Sequence, residues 1–356
     1  MRVKLLLAVF AVLSITNVAV AQNNAAALAN LPEADAVIYI SPQRILNEAA
    51  PRVMTPADLT KMRDTFAELK KSAGIDPSSI EYLVVAVRSN KPATDLSFVA
   101  PDVMAVIGGD FSSESLMSLA QLYLQDKARV EKYETKSIMV IKVDPIAAQV
   151  EKNPILKPYS EVGIVALSAN SIAIGNLRYL ESAIAATEGN GRISAATLQS
   201  LLRDPNVLAS ASGAPLAAFA KSIGMMGLEN TSRASHCDTP FGNFYAAITM
   251  TGTNFSLRGA MNADNPDTAK IINNLLAGLM KEGISSVPDK QAQTILESLK
   301  MSARENEIVW EADIPEKTVA DFIRSTSAKP VTQVTAPAPK PVIQKKPVPR
   351  KRTKKN

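Results

Sequence analysis

Residues 163–186, GIVALSANSIAIGNLRYLESAIAA, decide the reading of this chain. Two apolar runs flank the polar turn Ser168-Ala169-Asn170-Ser171, and a stretch with Leu180 and Ile184 four apart follows, which reads as strand, turn, strand, helix. The same plan returns at Phe244 to Leu279, around Thr251-Gly252-Thr253-Asn254, and at Lys300 to Ile323, around Arg304-Glu305-Asn306-Glu307. Gly and Asn in these turns accept the positive φ that tight hairpins demand. The following helices carry Ile272, Leu275, Leu276 and Leu279, then Val319, Phe322 and Ile323, at helical spacing. A single hairpin-helix unit cannot cover its own apolar faces, so the units are expected to combine into antiparallel sheet backed by helices.

Upstream, Asp35 to Ile40 reads as a strand entered through Leu31-Pro32. Thr55 to Ala73 reads as an amphipathic helix with Leu59, Met62, Phe66 and Leu69 on one face. Thr55 is placed as its N-cap, Pro56 at its first position and Gly74 just past its end. Glu81 to Arg88 and Val103 to Ile107 read as strands, Ser113 to Gln125 as a helix, and Val130 to Tyr133 with Ile138 to Val143 as a hairpin. The fold class is therefore α+β: two tandem domains of mainly antiparallel sheet. Asp204-Pro205 and Ser210-Ala211-Ser212-Gly213-Ala214-Pro215 interrupt the pattern, which sets the domains at 31–208 and 209–327.

The ends of the chain differ from its body. Two cations in Met1 to Lys4, an apolar run from Leu5 to Val20 and the small-x-small triplet Ala19-Val20-Ala21 form a secretory signal peptide over 1–21, with cleavage between Ala21 and Gln22 and a flexible lead over 22–30. The run is about 16 residues and is broken by Ser14, Thr16 and Asn17, short of the roughly 20 needed to span a bilayer. Localisation is thus expected to be the periplasm or the extracellular space. With Cys237 as the sole cysteine, no intrachain disulfide can form there.

From 328 onward Pro, Lys, Val and Thr replace the periodic pattern, and no aromatic residue occurs; a disordered basic tail over 328–356 is expected. Of the 39 cationic residues nine lie in 329–356 and two in the first four positions, whereas all 34 acids lie between, so the body is acidic although the pI is 9.1. That distribution argues against a folded nucleic-acid-binding face. Six prolines extend the tail, and Lys345, Lys346, Arg350, Lys351, Arg352, Lys354 and Lys355 are its candidate contacts to lipid headgroups or another anionic envelope polymer.

The segment Leu31-Pro32-Glu33-Ala34-Asp35-Ala36-Val37-Ile38-Tyr39-Ile40, together with the signal peptide and hairpin-helix units ending in Asp313-Ile314-Pro315, resembles uncharacterised exported bacterial proteins of two-domain α+β type. The resemblance implies a bacterial envelope setting and carries no activity onto particular residues.

Catalytic motifs are absent from the sequence. One histidine and one cysteine exclude the two-histidine metalloprotease helix and paired-cysteine zinc or redox motifs, and no complete Gly-x-Gly-x-x-Gly, phosphate-loop or Gly-x-Ser-x-Gly pattern occurs. His236-Cys237-Asp238 is the one chemically suggestive cluster, an activated thiolate or partial metal site on one reading and an incidental loop thiol on the favoured one. Gly108-Gly109-Asp110 reads as a turn before a helix capped by Ser112 or Ser113, and Asp264-Asn265-Pro266-Asp267 as a capped helix start. Asn230-Thr231-Ser232 and Asn254-Phe255-Ser256 are formal glycosylation acceptors. Trp310 and Tyr39 read as sheet packing, Met225-Met226 as a loop contact.

No catalytic, cofactor-binding or metal-binding residue is assigned. The expected function is that of a non-enzymatic binding or scaffold protein of the cell envelope, tethered by its tail and possessing no transmembrane segment once mature; a protein partner is open. The alternatives are a carrier of a small apolar ligand between sheet and helices, and an unrecognised hydrolase.

Overall fold

The structure is a computed structural model and describes residues 28–74, 76–90, 100–124, 127–143, 159–204, 206–213, 244–287 and 290–327. The signal-peptide residues Ala21 and Gln22, the His236-Cys237-Asp238 cluster, Asn230-Thr231-Ser232, Met225-Met226 and the tail cations lie outside them.

Strand β1 (Ala36–Ile40) leads into helical turns at Pro42–Arg44, Ile45–Ala49 and Ala50–Val53, then helix α1 (Pro56–Ala73). β2 (Ile80–Arg88), β3 (Asp102–Gly109), α2 (Ser113–Leu124), β4 (Ala128–Tyr133) and β5 (Lys136–Lys142) follow. The first hairpin-helix unit is β6 (Glu161–Ser168), β7 (Ser171–Gly175) and α3 (Leu177–Thr187), followed by α4 (Ala195–Leu201) and β8 (Val207–Gly213). The second is β9 (Phe244–Thr251), β10 (Asn254–Asn262) and α5 (Pro266–Ser286). After α6 (Lys290–Glu297) comes the third: β11 (Lys300–Arg304), β12 (Glu307–Pro315) and α7 (Glu316–Ser327).

Local signals in the sequence mark these elements closely. Thr55 Oγ1 accepts from the Asp58 amide, Pro56 opens α1, and Gly74 ends it at φ +66, the left-handed position that favours glycine. Asn265 caps α5 by accepting from the Thr268 amide, with Pro266 next in line. Two of the three hairpin turns hold a left-handed residue, Gly252 and Glu305.

All twelve strands join one antiparallel sheet in the order β11-β12-β10-β9-β8-β1-β2-β3-β7-β6-β5-β4. The stretch read as an interdomain loop is β8, paired with β1 on one side and β9 on the other, so the sheet crosses the expected boundary unbroken. Its sequence, VLASASG, conceals it: buried Ser210 and Ser212 stand where larger apolar residues would announce a strand. Small side chains suit the site, because α4 packs there and Ser210 Oγ donates to the Leu201 carbonyl at 3.2 Å.

The chain order on the two sides of the β1–β8 seam is related. β1-β2-β3, α2, then the β6-β7 hairpin and α3 parallel β8-β9-β10, α5, then the β11-β12 hairpin and α7, and in each half the hairpin's second strand pairs with the third strand of the meander. The first half carries β4 and β5 in addition.

The faces of the sheet differ. On one, called here the α3 face, Tyr179, Leu180, Ala183 and Ile184 of α3 and Leu201 of α4 pack fully buried on Val84, Met104, Val140, Val165 and Ala173. Away from these helices the same face turns polar, with Arg258, Lys300, Glu311 and Asp313 exposed. On the other, the α2 face, one cross-strand row runs Trp310, Gly259, Ala246, Ala211, Ile38, Val85, Ala105, Ile174, Ile164, Met139 without a polar side chain. The adjacent rows from Ala312 to Ala166 and from Ile308 to Val103 are likewise apolar. Two helical groups cover the ends of this face. α5 buries Ala269 and Ile272 against Met261 and Ile308, and α7 with the 42–53 turns buries Ala320, Ala49 and Val53 against Phe255 and Leu208. Leu275, expected on the apolar face of α5, points outward and is 57% exposed. Between these coverings Ile38 and Ile248 stay 39% and 41% exposed.

Candidate functional site: an apolar cleft beneath α2

The cleft arises from how α2 is suspended. β3 ends at Gly108-Gly109, and the chain turns through Asp110 and Phe111 to Ser112, whose Oγ caps the helix by accepting from the Ser115 amide at 3.2 Å. Ser113 fastens this end to the β6-β7 turn: its amide donates to the Ala169 carbonyl at 2.9 Å and its hydroxyl to the Ser168 carbonyl. At the far end Tyr123 Oη donates to the Ser72 carbonyl at 3.0 Å, and Leu119 lies against Gly74. Both ends are thus tied by hydrogen bonds, whereas no apolar side chain of α2 is fully buried. Leu122 and Tyr123 are 65% and 67% exposed.

Under the helix lies a cavity of about 270 Å³. Ile107, Ile164, Ile172 and Ile174 of the sheet form its floor, Leu116, Met117, Leu119 and Ala120 of α2 its roof, and Ile80 and Phe111 close one corner. Its surface is almost wholly apolar, with Asp76 and Ser79 the polar exceptions apart from the Tyr123 hydroxyl tied to Ser72. β-branched side chains hold few rotamers, so a floor of isoleucines is a preformed wall. The corresponding helix of the second half, α5, differs: Ala269 and Ile272 descend to the sheet near its start, and farther along a cavity of about 490 Å³ with Lys281, Gln293 and Glu297 in its lining separates α5 from α6. An apolar cleft of this size, near the lower limit of the roughly 300–1,000 Å³ typical of small-molecule sites, is a binding-site geometry.

Its one charged wall is the segment after α1. Asp76 accepts from Lys70 Nζ at 2.6 Å and from the Ser78 amide at 3.0 Å, and these bonds hold its carboxyl below the ordinary range. Glu81, beside Ile80, is pushed up by burial and by the neighbouring Asp110 charge.

A second polar cluster serves the core. Arg88 Nη2 meets Asp102 at 2.8 Å, Nη1 donates to Ser182 Oγ at 3.1 Å, and the guanidinium lies 4.5 Å over the ring of Tyr179, whose hydroxyl donates to the Glu33 carbonyl. Burial pushes the Tyr179 hydroxyl well up and that of Tyr82 to about 12. These groups are spent on one another, which makes them structural.

The other candidates read from the sequence fall as follows. Gly108-Gly109-Asp110 is the end of β3 and its turn, Asp264 to Asp267 the capped start of α5, and Asn254-Phe255-Ser256 the start of β10. Tyr39 is a buried strand residue, and the Trp310 indole lies flat over Gly259, where any Cβ would collide with the ring. Among the described residues no group of three or more His, Cys, Asp or Glu is placed to hold a metal, and no helix is long and apolar enough to cross a membrane. Sequence reading allowed for an apolar ligand between sheet and helices but did not place the cleft or name its residues. Its available signal was apolarity on both faces of β2, β3, β6 and β7, whereas a strand with one solvated face alternates.

No protein family and no curated protein matches the chain. Among solved structures it is similar to TP0453: crystal form III at 10% identity and a TM-score of 0.41, covering 84% of this chain and 97% of that one, and crystal form I at 10% identity and a TM-score of 0.39, covering 84% and 96%. The likeness to known proteins is therefore distant.

Proposed function

We propose that this is an exported, non-enzymatic binding protein of the cell envelope that takes an apolar molecule into the cleft beneath α2 and is kept near an anionic surface by its basic tail. The observation that carries the reading is the almost wholly apolar cavity between α2 and the isoleucine floor; the cavity beside the corresponding helix α5, about 490 Å³ between α5, α6 and Met301, is more open and has Lys281, Gln293 and Glu297 in its lining. Of the functions open to the sequence, a carrier of a small apolar ligand is the one this geometry favours over a scaffold without a ligand. A hydrolase is disfavoured, since the cleft wall offers a carboxylate already bonded to lysine and no nucleophile-base pair.

The test is to fill the cleft from its roof. Ala120 is half-exposed on α2 and lines the cavity, so Ala120→Trp places an indole into existing space without cutting the core. Binding of a neutral fluorescent apolar probe is expected to weaken at least about tenfold, roughly 1.4 kcal/mol or more, with the thermal midpoint unchanged or raised. Undiminished binding in a folded Ala120→Trp protein overturns the reading.

The tail is tested separately. A chain ending at Ser327 is expected to lose co-sedimentation with anionic vesicles, and the full chain to lose it as salt rises, because each cation near such a surface contributes about 1 kcal/mol within a Debye length. Equal sedimentation of both chains would remove the tether.

A further inference from the structure

We propose that the cleft selects a single-chain amphiphile whose polar end is cationic or uncharged, and discriminates against a fatty-acid anion. This rests on the cleft reading above and adds the chemistry of its charged wall. A volume of about 270 Å³ accommodates one slender chain, being below the roughly 300–1,000 Å³ of ordinary small-molecule pockets. Enclosed by isoleucine, leucine and methionine, the apolar part of the ligand leaves its polar end to the segment that carries Asp76 and Ser79.

Charge at that segment is predominantly negative. Asp76 is held ionised by its hydrogen bonds, and Lys70, which neutralises it, is thereby engaged. The Asp110 amide donates to the Ser79 carbonyl at 2.8 Å, which brings Asp110 alongside, and the Asp110 charge is felt at Glu81. Glu114 occupies the first turn of α2, and Lys71 adds the remaining lysine from the last turn of α1. Asp76 thus lines the cleft paired with Lys70, and Asp110 and Glu81 add negative charge beside its Ser79 end. The N-terminus of α2 is the feature there that would attract an anion, but its Ser113 and Ser115 amides are taken by the Ala169 carbonyl and Ser112 Oγ. A carboxylate head would approach the added negative charge of Asp110 and Glu81 beside the Lys70-paired Asp76; an ammonium head finds its complement, and a hydroxyl head meets no charge repulsion.

The experiment is competition at neutral pH and low salt, in which decylamine, decanol and decanoate displace the neutral probe N-phenyl-1-naphthylamine from the purified protein. Decylamine is expected to bind about five- to tenfold more tightly than decanoate, the effect of one uncompensated charge near a protein surface, with decanol between. Asp110→Asn, at an exposed position, should narrow the gap about two- to threefold. Decanoate equal to or tighter than decylamine overturns the head-group selection and leaves the cleft reading standing. Failure of the probe itself to bind, with no competitor effect, overturns both.

Discussion

Tyr179→Ala is expected to destabilise the protein by about 3–5 kcal/mol, the cost of removing a large fully buried aromatic side chain. The ring sits at the centre of the α3 face, wholly excluded from solvent. Three things depend on it: contacts with the sheet, the donor to the Glu33 carbonyl, and the surface over which Arg88 lies. Tyr179→Phe separates these contributions. It keeps the packing and the cation–π contact and deletes only the hydroxyl, so about 0.5–1.5 kcal/mol is expected. Urea denaturation with linear extrapolation reads both. A loss under 1 kcal/mol for Tyr179→Ala would show that α3 does not anchor the core.

Gly213→Ala is expected to unfold or severely weaken the whole chain and not only its second half. Gly213 closes β8 at φ +107, pairing with Ala36 of β1 and Phe244 of β9. A Cβ there would stand 2.1 Å from the Asp35 carbonyl oxygen and 2.7 Å from the Ala36 Cα, which are backbone atoms that cannot swing aside. Backbone strain alone costs of order 1–3 kcal/mol, and the collision adds to it. The readout also tests whether the two halves are energetically one body. Trp310, the sole tryptophan, reports from β12, and far-UV circular dichroism reports from both halves. Coincident transitions are expected in the wild type, moving together in the variant. Two separated transitions would mean that the β1–β8 pairing joins the strands without coupling their stability.

Much of the fold was legible because its signals are local. Caps, prolines, turn glycines and 3.6- or 2-residue periodicity act within a few residues, which is why Thr55, Gly74, Asn265 and Gly252 marked their elements correctly. β8 escaped for the converse reason. Its alanines, serines and terminal glycine have weak intrinsic preference for a strand, and they form one because β1 and β9 stand on either side and α4 packs over it, taking the Ser210 hydroxyl on the Leu201 carbonyl. Leu275 shows the same limit on a helix: spacing allotted it to the apolar face, but the arc that α5 presents to the sheet ends at Ile272 and Leu276.

The sequence by itself determined the three hairpin-helix units, the α+β class and the segregation of positive charge into the last residues, since each follows from composition or short-range spacing. Tertiary structure alone decided that the units share one sheet, and that α2, tied at both ends by Ser113 and Tyr123, stands off its isoleucine floor whereas α5 sets Ala269 and Ile272 against the sheet. The physical reason is that a residue's neighbours along the chain set its backbone preference, whereas the space left beneath a helix depends on where its two ends are fastened, and those fastenings lie tens of residues away.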